Sequence, residues 1–426
     1  MEKEVNSQRR RKVSSNTDSA IEILQNENQK KRREIEKNNK KTVKKNKKNI
    51  KDITGQAAKR KRMLKVCIIF ILIITAIILI KNYHKFGLVI NKDITVKDVV
   101  VIPNASSNNI IKPYRDEILV YSSGTYSTYN RFGKQTWKIK LDTTFVPEIS
   151  TAGKYIQILN KDKGYVYVYY NKYESARIKI DGNIKSGKIL EDGTSLIEYM
   201  TAGSKTVIGI YDKNGKEHYE TKINSNTIGD YILSDNDRYL AYSEVVIDGI
   251  SVTTNINVVD LESAGKEDYN IPTVITKDNE IAYKMFFDGK DLITLFENEV
   301  VICSVNNNKT KEYKMPQENI LNIDINNKKY AYTSLDSEKE SGYILAFLKF
   351  GDLETTKESI EELPINIKYQ DNLVYIGGKK TVKIYNEFGV NVKNYNSETI
   401  LSEPIIFNSG KSVAVPTSNK IIIFTI

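Results

Sequence analysis

Tyr126-Ser-Thr-Tyr-Asn-Arg-Phe-Gly-Lys-Gln-Thr-Trp-Lys-Ile-Lys140 reads as two short strands joined by a tight turn. Aromatic and β-branched residues fill the flanks, Tyr129-Asn130 ends the first strand, and Gly133 supplies the permissive backbone that the turn needs. The pattern returns as Ile208-Gly-Ile-Tyr-Asp-Lys-Asn-Gly-Lys-Glu-His218 and as Val382-Lys-Ile-Tyr-Asn-Glu-Phe-Gly-Val-Asn-Val-Lys393. In each copy the glycine lies three residues after the Asn or Asp. Weaker copies without it are Val168-Tyr-Tyr-Asn-Lys-Tyr-Glu-Ser175 and Ile302-Cys-Ser-Val-Asn-Asn-Asn-Lys309.

The strand before each hairpin acts as a ruler. These strands begin near Glu117, Tyr155, Leu196, Tyr239, Asp291, Tyr330, Leu373 and Ser412, at spacings of 38, 41, 43, 52, 39, 43 and 39 residues. A period near 40–45 residues with about four strands per repeat is that of a β-propeller. The region from Ile94 onward also lacks the 3.6-residue apolar period of a helical solenoid. The expectation is an all-β, eight-bladed ring over residues 94–426, with seven blades as the neighbouring solution. The 52-residue spacing marks an insertion in the fourth blade.

Ring closure sharpens the expectation. The last repeat runs through 404–407, 412–416 and 420–426, one strand short of the others. Ile94-Thr-Val-Lys-Asp-Val-Val-Val-Ile102 precedes the first repeat and belongs to no hairpin there. Residues 94–102 are therefore expected to supply the missing outer strand, hiding an edge that would otherwise be free.

The remaining sequence is of another kind. The 426 residues carry 64 Lys+Arg against 53 Asp+Glu, a net charge of +11, yet residues 1–65 alone hold 22 basic and 8 acidic residues. The rest of the chain is slightly acidic, so the charge gives no basic stripe on the folded body and no reason to expect nucleic acid as a partner. Residues 1–62 lack aromatics and are rich in Lys, Asn and Glu, the composition of a disordered tail, with a sparse helical pattern from Asp18 to Glu36. Val66 to Ile80 is an uncharged run of 15 residues. With Met63 and Leu64 it is long enough for about 27 Å of helix, close to the hydrocarbon thickness of a bilayer.

Residues 63–83 are thus expected to form a single transmembrane signal anchor. Lys59, Arg60, Lys61, Arg62 and Lys65 on its N-terminal side place the tail in the cytoplasm and the propeller outside. No small-residue cleavage site follows the run, in Lys81-Asn-Tyr-His-Lys-Phe86. Residues 84–93 would be a short linker. Lys40, Lys41, Lys44, Lys45, Lys47, Lys48 and Lys51 form a polybasic block that suits anionic lipid and also serves as a topology signal.

Gly133-Lys-Gln-Thr-Trp137 resembles the Gly-Lys-x-x-Trp turn of quinoprotein-like propeller repeats, and Gly215-Lys-Glu-His-Tyr219 is similar with Tyr in the Trp position. With the basic tail and single span, the chain resembles an uncharacterised family of bacterial membrane-anchored proteins with a quinoprotein-like β-propeller ectodomain. The resemblance implies no substrate. Quinoprotein dehydrogenases carry Trp in most blades and adjacent cysteines at the cofactor. This chain has one Trp and two distant cysteines, Cys67 and Cys303.

Direct search for chemistry names no catalytic, cofactor-binding or metal-ligating residue and no cofactor. Two histidines, His84 and His218, argue against a histidine-rich metal site or a Ser-His-Asp triad. Asp212-Lys-Asn-Gly215 has the look of a calcium-loop start without its closing glutamate, and Asp235-Asn-Asp-Arg238 reads as a turn. Glu361 and Glu362 are adjacent carboxylates with no evident partner. Tyr165, Tyr167 and Tyr169 alternate along one strand, as either a stacking platform or inter-blade packing. The expectation is a non-catalytic membrane-anchored scaffold whose extracytoplasmic propeller binds a protein, peptide or cell-wall glycan. The alternatives are an extracytoplasmic hydrolase with its site in the funnel, and a transmembrane sensor.

Overall fold

A computed structural model describes residues 30–31, 34, 36–40, 63, 65–75 and 92–426, apart from 95–98, 104, 142–145, 224–226, 267, 316–319, 327–328, 337, 340–341 and 350–355. It divides into two units, residues 1–83 and 84–426. In the first unit the described residues are helical and exposed. The helical residues 30–31, 34 and 36 fall within the sparse helical pattern read from Asp18 to Glu36, and 37–40 extend it; the rest of the tail lies outside the described residues. The described helix 65–75 covers part of the expected span. Among the described residues no helix is long and apolar enough to cross a membrane. The remainder of the expected span and most of the linker, residues 76–91, lie outside the described residues.

The second unit is a ring of eight sheets, each built on four antiparallel strands, one of them with a fifth, parallel strand at its edge. Successive blades cover residues 110–140, 148–179, 183–223, 228–278, 284–314, 320–360 and 366–396, and the eighth is built from both ends of the region. Each chain segment runs from the innermost strand outward, A to D. The A–B and C–D turns thus emerge on one face of the ring, and the B–C and D–A loops on the other. The second strands begin at Glu117, Tyr155, Ser195, Tyr239, Asp291, Lys329, Leu373 and Ser412, within one residue of the ruler.

The repeated hairpin has a concrete cause. In the first, third and seventh blades the side-chain oxygen of Asn130, Asp212 or Asn386 accepts two backbone N–H groups. These are Phe132 and Lys134 (3.0 and 3.1 Å), Asn214 and Lys216 (2.9 and 2.8 Å), and Phe388 and Val390 (both 3.0 Å). Gly133, Gly215 and Gly389 follow with φ of 73°, 82° and 78°, a region that costs an L-residue its side-chain clearance. A bulge in the ladder accompanies each turn. The weaker copy in the second blade makes a different turn, with Asn171 and Lys172 both at positive φ, as a two-residue type I′ hairpin requires.

Eight hydrophobic clusters hold the ring, one at each boundary between neighbouring blades. Each sheet has a neighbour on both faces, so adjacent residues of one strand enter different cores. Leu240 and Tyr242 pack toward the third blade, whereas Ala241 packs toward the fifth. That is why many strands are apolar throughout instead of alternating. Val413 and Val415 likewise face the seventh blade, and Ala414 the first.

Closure comes from the N-terminal side. Val99–Pro103 lies antiparallel to Lys420–Thr425 as the outer strand of the eighth blade, with Ile102 2% exposed between the eighth and first blades. The single strand expected over 94–102 is in fact two. Lys92–Ile94 is separate and adds in parallel to Asn391–Asn396 at the edge of the seventh blade. The charged pair Lys97-Asp98 separates the two apolar stretches in sequence, and two neighbouring blade edges each take one of them. All eight cores and both closing strands lie within residues 92–426, so the ring is complete without the first unit.

Candidate functional site

The inner strands meet around the central funnel, and their charges alternate in sign around it. Going round the ring, the sequence of charges is Lys112, Glu148, Lys188, Asp230, Lys284, Asp324, Lys368 and Glu403, the last lying just before its strand. The third blade adds a second lysine, Lys185, and the inner strand of the fifth ends on an acid, Asp288. Lys188 pairs with Asp230, Lys284 with Asp324 at 2.9 Å, and Lys368 with Glu403 at 3.0 Å, each across a blade boundary. Glu148 pairs instead with Lys161 of its own blade at 2.8 Å.

These acids also bind backbone. Asp230 and Asp324 accept the N–H of Met285 and Tyr369 on the next inner strand, both at 2.9 Å, and Glu148 accepts that of Gly187 at 3.1 Å. Inner strands of different blades have no ladder between them, so these carboxylates satisfy amides that the sheets leave free. The acids reach the funnel already committed to lysines and amides. Where the seventh, eighth and first blades meet, a cavity of about 470 Å³ is lined by Lys112, Lys368, Gln370, Glu403, Pro404 and Ile405 among others.

The face formed by the B–C and D–A loops carries exposed apolar residues in most blades. Tyr239–Asp248 and Ser251–Asp260 of the fourth blade are ten-residue strands, the longest in the ring, and they account for part of the 52-residue spacing. Their tight turn places Gly249 at φ 60° and leaves Ile250 fully exposed at its apex (102%), with Val246 and Ile247 exposed beside it. Val146, Ile281, Tyr283, Leu321, Leu335, Leu363, Ile365 and Ile400 are exposed on loops or strand ends of the same face. Isolated exposed apolar residues are ordinary, whereas this face gathers them in most blades and places isoleucine at a turn apex, where polar residues are usual.

The opposite face is divided by charge and exposes Phe132, Tyr170 and Tyr173 on C–D turns. At the first blade a pocket of about 440 Å³ is lined by Arg115, Asp116, Glu117, Arg131, Phe132, Lys172 and Lys411 among others. At the third and fourth blades a pocket of about 510 Å³ is lined by Asp192, Asp212, Lys213, His218 and Asp237 among others. Burial, with Asp192 nearby, raises the Asp237 carboxyl above its ordinary range. The amide of Lys216, with that of Asn214 and the neighbouring His218, lowers Asp212.

The residues singled out from sequence fall into place as structural parts. Asp212–Gly215 is the hairpin turn described above. Asp235–Arg238 is also a turn, from which Arg238 pairs with Asp260 at 3.0 Å and Glu262 at 3.1 Å. Glu361 and Glu362 sit in the loop between the sixth and seventh blades, where Glu362 accepts the Thr381 hydroxyl. Among the described residues no group of three or more His, Cys, Asp or Glu is placed to hold a metal ion. Tyr167 and Tyr169 pack into the core between the first and second blades. There Tyr169 meets Trp137 edge-on at 5.7 Å, and burial pushes its hydroxyl up to about 12. Arg177 and Lys179 cover the rings of Tyr167 and Tyr165 at 5.0 and 4.7 Å. The alternating funnel charges were missed from sequence. A lysine or acid at matching positions of the inner strands was their available signal.

A family model described as "Family of unknown function (DUF5711)" matches residues 89–426. No curated protein matches the chain. Among solved structures, the C-terminal WD40 domain of Sif2 superposes with a TM-score of 0.52 at 11% identity, covering 77% of this chain and 98% of that one. Sqt1 from Chaetomium thermophilum gives 0.50 at 10% identity, covering 77% and 100%. BamB from Moraxella catarrhalis gives 0.48 at 12% identity, covering 77% and 100%. At such identities the likeness concerns the fold alone.

Proposed function

We propose that this chain, which belongs to the DUF5711 family of unknown function, is a non-catalytic scaffold anchored in a membrane, whose propeller binds a protein partner on the B–C/D–A face. The observation that carries the reading is the fourth-blade hairpin, which raises Ile247 and the fully exposed Ile250 on a face already rich in exposed apolar side chains. Partner burial of such anchors, with the loops around them excluding water, is how compact interfaces gain most of their affinity. The commitment of the funnel acids to lysines and amides supports the non-catalytic part.

Two features support anchoring. The run from Val66 to Ile80 has the length and apolarity of a span, and in its described part the large apolar side chains at 66 and 68–74 are exposed. An all-apolar helix outside a protein core is at home in hydrocarbon. The basic flank on its N-terminal side orients the tail to the cytoplasm and the propeller to the outside.

Site-specific photocrosslinking in cells tests the binding face. A photoreactive residue at position 250 or 283 is expected to give one discrete adduct, lost when Ile247→Asp is added, whereas position 173 on the opposite face should not give that adduct. Absence of any adduct from 250 and 283 would overturn the reading. Protease treatment of intact cells tests orientation separately: the propeller should be cleaved or shed, and its full protection would refute an outside location.

A further inference from the structure

We propose that the A–B/C–D face of the eighth, first and second blades docks on an anionic lipid surface, holding the propeller flat against a bilayer. The geometry comes from three successive blades. Lys411 lies in the A–B turn of the eighth blade, Arg115 and Arg131 in the A–B and C–D turns of the first, and Lys154 in the A–B turn of the second, all exposed. Arg115 is oriented by Asn171 at 3.2 Å, and Lys172 is occupied by Glu117 at 2.6 Å. Three exposed acids border the group: Asp116 in the same turn as Arg115, Asp371 beside Gly410, and Glu174, which pairs with Arg177 at 2.9 Å. Phe132 (67% exposed) and Tyr173 (80% exposed) stand beside these cations on the C–D turns of the first and second blades. Phe132 belongs to a turn whose rigidity comes from Asn130 and Gly133, so its exposure is built into the hairpin.

Cations that meet headgroup phosphates, with aromatic side chains that settle at the headgroup level, are the chemistry of an interfacial lipid-binding surface. The path of the chain agrees. Lys92–Ile94 and Val99–Pro103 both begin at the A–B/C–D end of their sheets, so Lys92 lies toward this same face. The acidic cluster on the third and fourth blades lies away from this patch, and its repulsion from anionic headgroups would set which side of the face sits lower.

The test uses the fragment 84–426, which contains the complete ring, so its outcome does not depend on residues 63–83 being a span. Co-sedimentation is measured with vesicles of phosphatidylcholine alone and with about one-third phosphatidylglycerol. The fragment is expected to bind the anionic vesicles, with about tenfold weaker partitioning for Arg131→Glu/Lys411→Glu. Phe132→Ser/Tyr173→Ser should remove the binding that survives high salt, and Asp192→Asn should leave binding intact or raise it. Thermal melts confirm that each variant folds, with Arg131→Gln/Lys411→Gln as the milder pair where charge reversal fails to fold. Equal binding to both vesicle types, or no binding to either, overturns the proposal. So does calorimetric binding of inorganic phosphate that competes with vesicles, which would make the pocket a small-anion site.

Discussion

The turn clusters of the first and third blades share one scaffold and differ in charge. Both pair an A–B turn with a C–D hairpin closed by the Asn/Asp–Gly arrangement, with φ of 73° at Gly133 and 82° at Gly215. Around the first gather Arg115, Arg131 and Lys411, and around the second Asp192, Asp212 and Asp237. The repeat therefore dictates where the turns project. The exposed positions within them, which the fold leaves free, decide what each part of the face can meet. Even the capping residue follows the division, as neutral Asn130 on one side and Asp212 on the other.

The two clusters also differ in what lies beneath them, and this gives the largest expected effect. A side chain at Gly133 would come within 2.7 Å of Val100 in the closing strand, whereas one at Gly215 would meet Ile178 of the second blade at 3.1 Å. The first cluster thus rests on the ring's seam. Replacing Ile102 with Ala should cost about 2–4 kcal/mol in chemical denaturation. It should also release the 131–133 turn in hydrogen exchange while leaving 212–215 protected. Equal loosening of both turns would break the comparison.

Next in size, Gly133→Ala and Gly215→Ala should both destabilise, because each glycine has positive φ, by roughly 1–2 kcal/mol. Gly133→Ala should be the worse of the two in thermal melts. The reverse order would mean that the seam yields more readily than the inter-blade core.

A smaller effect separates the caps by pH. The folded-state carboxyl of Asp212 is held below its ordinary range, chiefly by the Lys216 amide. Its contribution is therefore present above the unfolded pKa and is lost as pH falls through the folded one. Asp212→Asn should lower Tm slightly at neutral pH, with the deficit closing in acid, and Asn130→Ala should show no such pH dependence.

Smallest is Asp237→Asn. Burial raises that carboxyl, so its charged form costs stability above the folded pKa and nothing below the unfolded one. The substitution should raise stability slightly at neutral pH and have no benefit in acid, as paired thermal melts at the two pH values would show. Its backbone, at φ 56°, suits Asn as well as Asp.

Legibility followed the range of the interaction. The eight-blade count could be read because eight apolar strands start at intervals of 38–52 residues, and the Asn/Asp–Gly turns at Asn130, Asp212 and Asn386, closed by bonds spanning four residues or fewer, marked the hairpins among them. The use of Val99–Ile102 in closure was readable because the last repeat visibly lacked a strand. The parallel strand Lys92–Ile94 was not, since its partners at Lys393–Tyr395 lie about 300 residues away. Tyr165, Tyr167 and Tyr169 showed their alternation but not their surroundings, which come from Trp137 in the preceding blade and from Arg177 and Lys179 in the next strand.

The amino-acid sequence by itself determined the unit of this protein: strand, capped turn, strand, at a period near 40 residues, set by local hydrogen bonding and apolar patterning. Tertiary structure alone decided which of the resulting surfaces converge. The funnel pairs Lys188–Asp230, Lys284–Asp324 and Lys368–Glu403 join residues about 35–42 positions apart. The patch of Arg115, Arg131 and Lys411 joins the two ends of the ring. A periodic sequence specifies the rotation from one blade to the next, but only a closed circle brings the last blade beside the first and turns isolated charges into a surface.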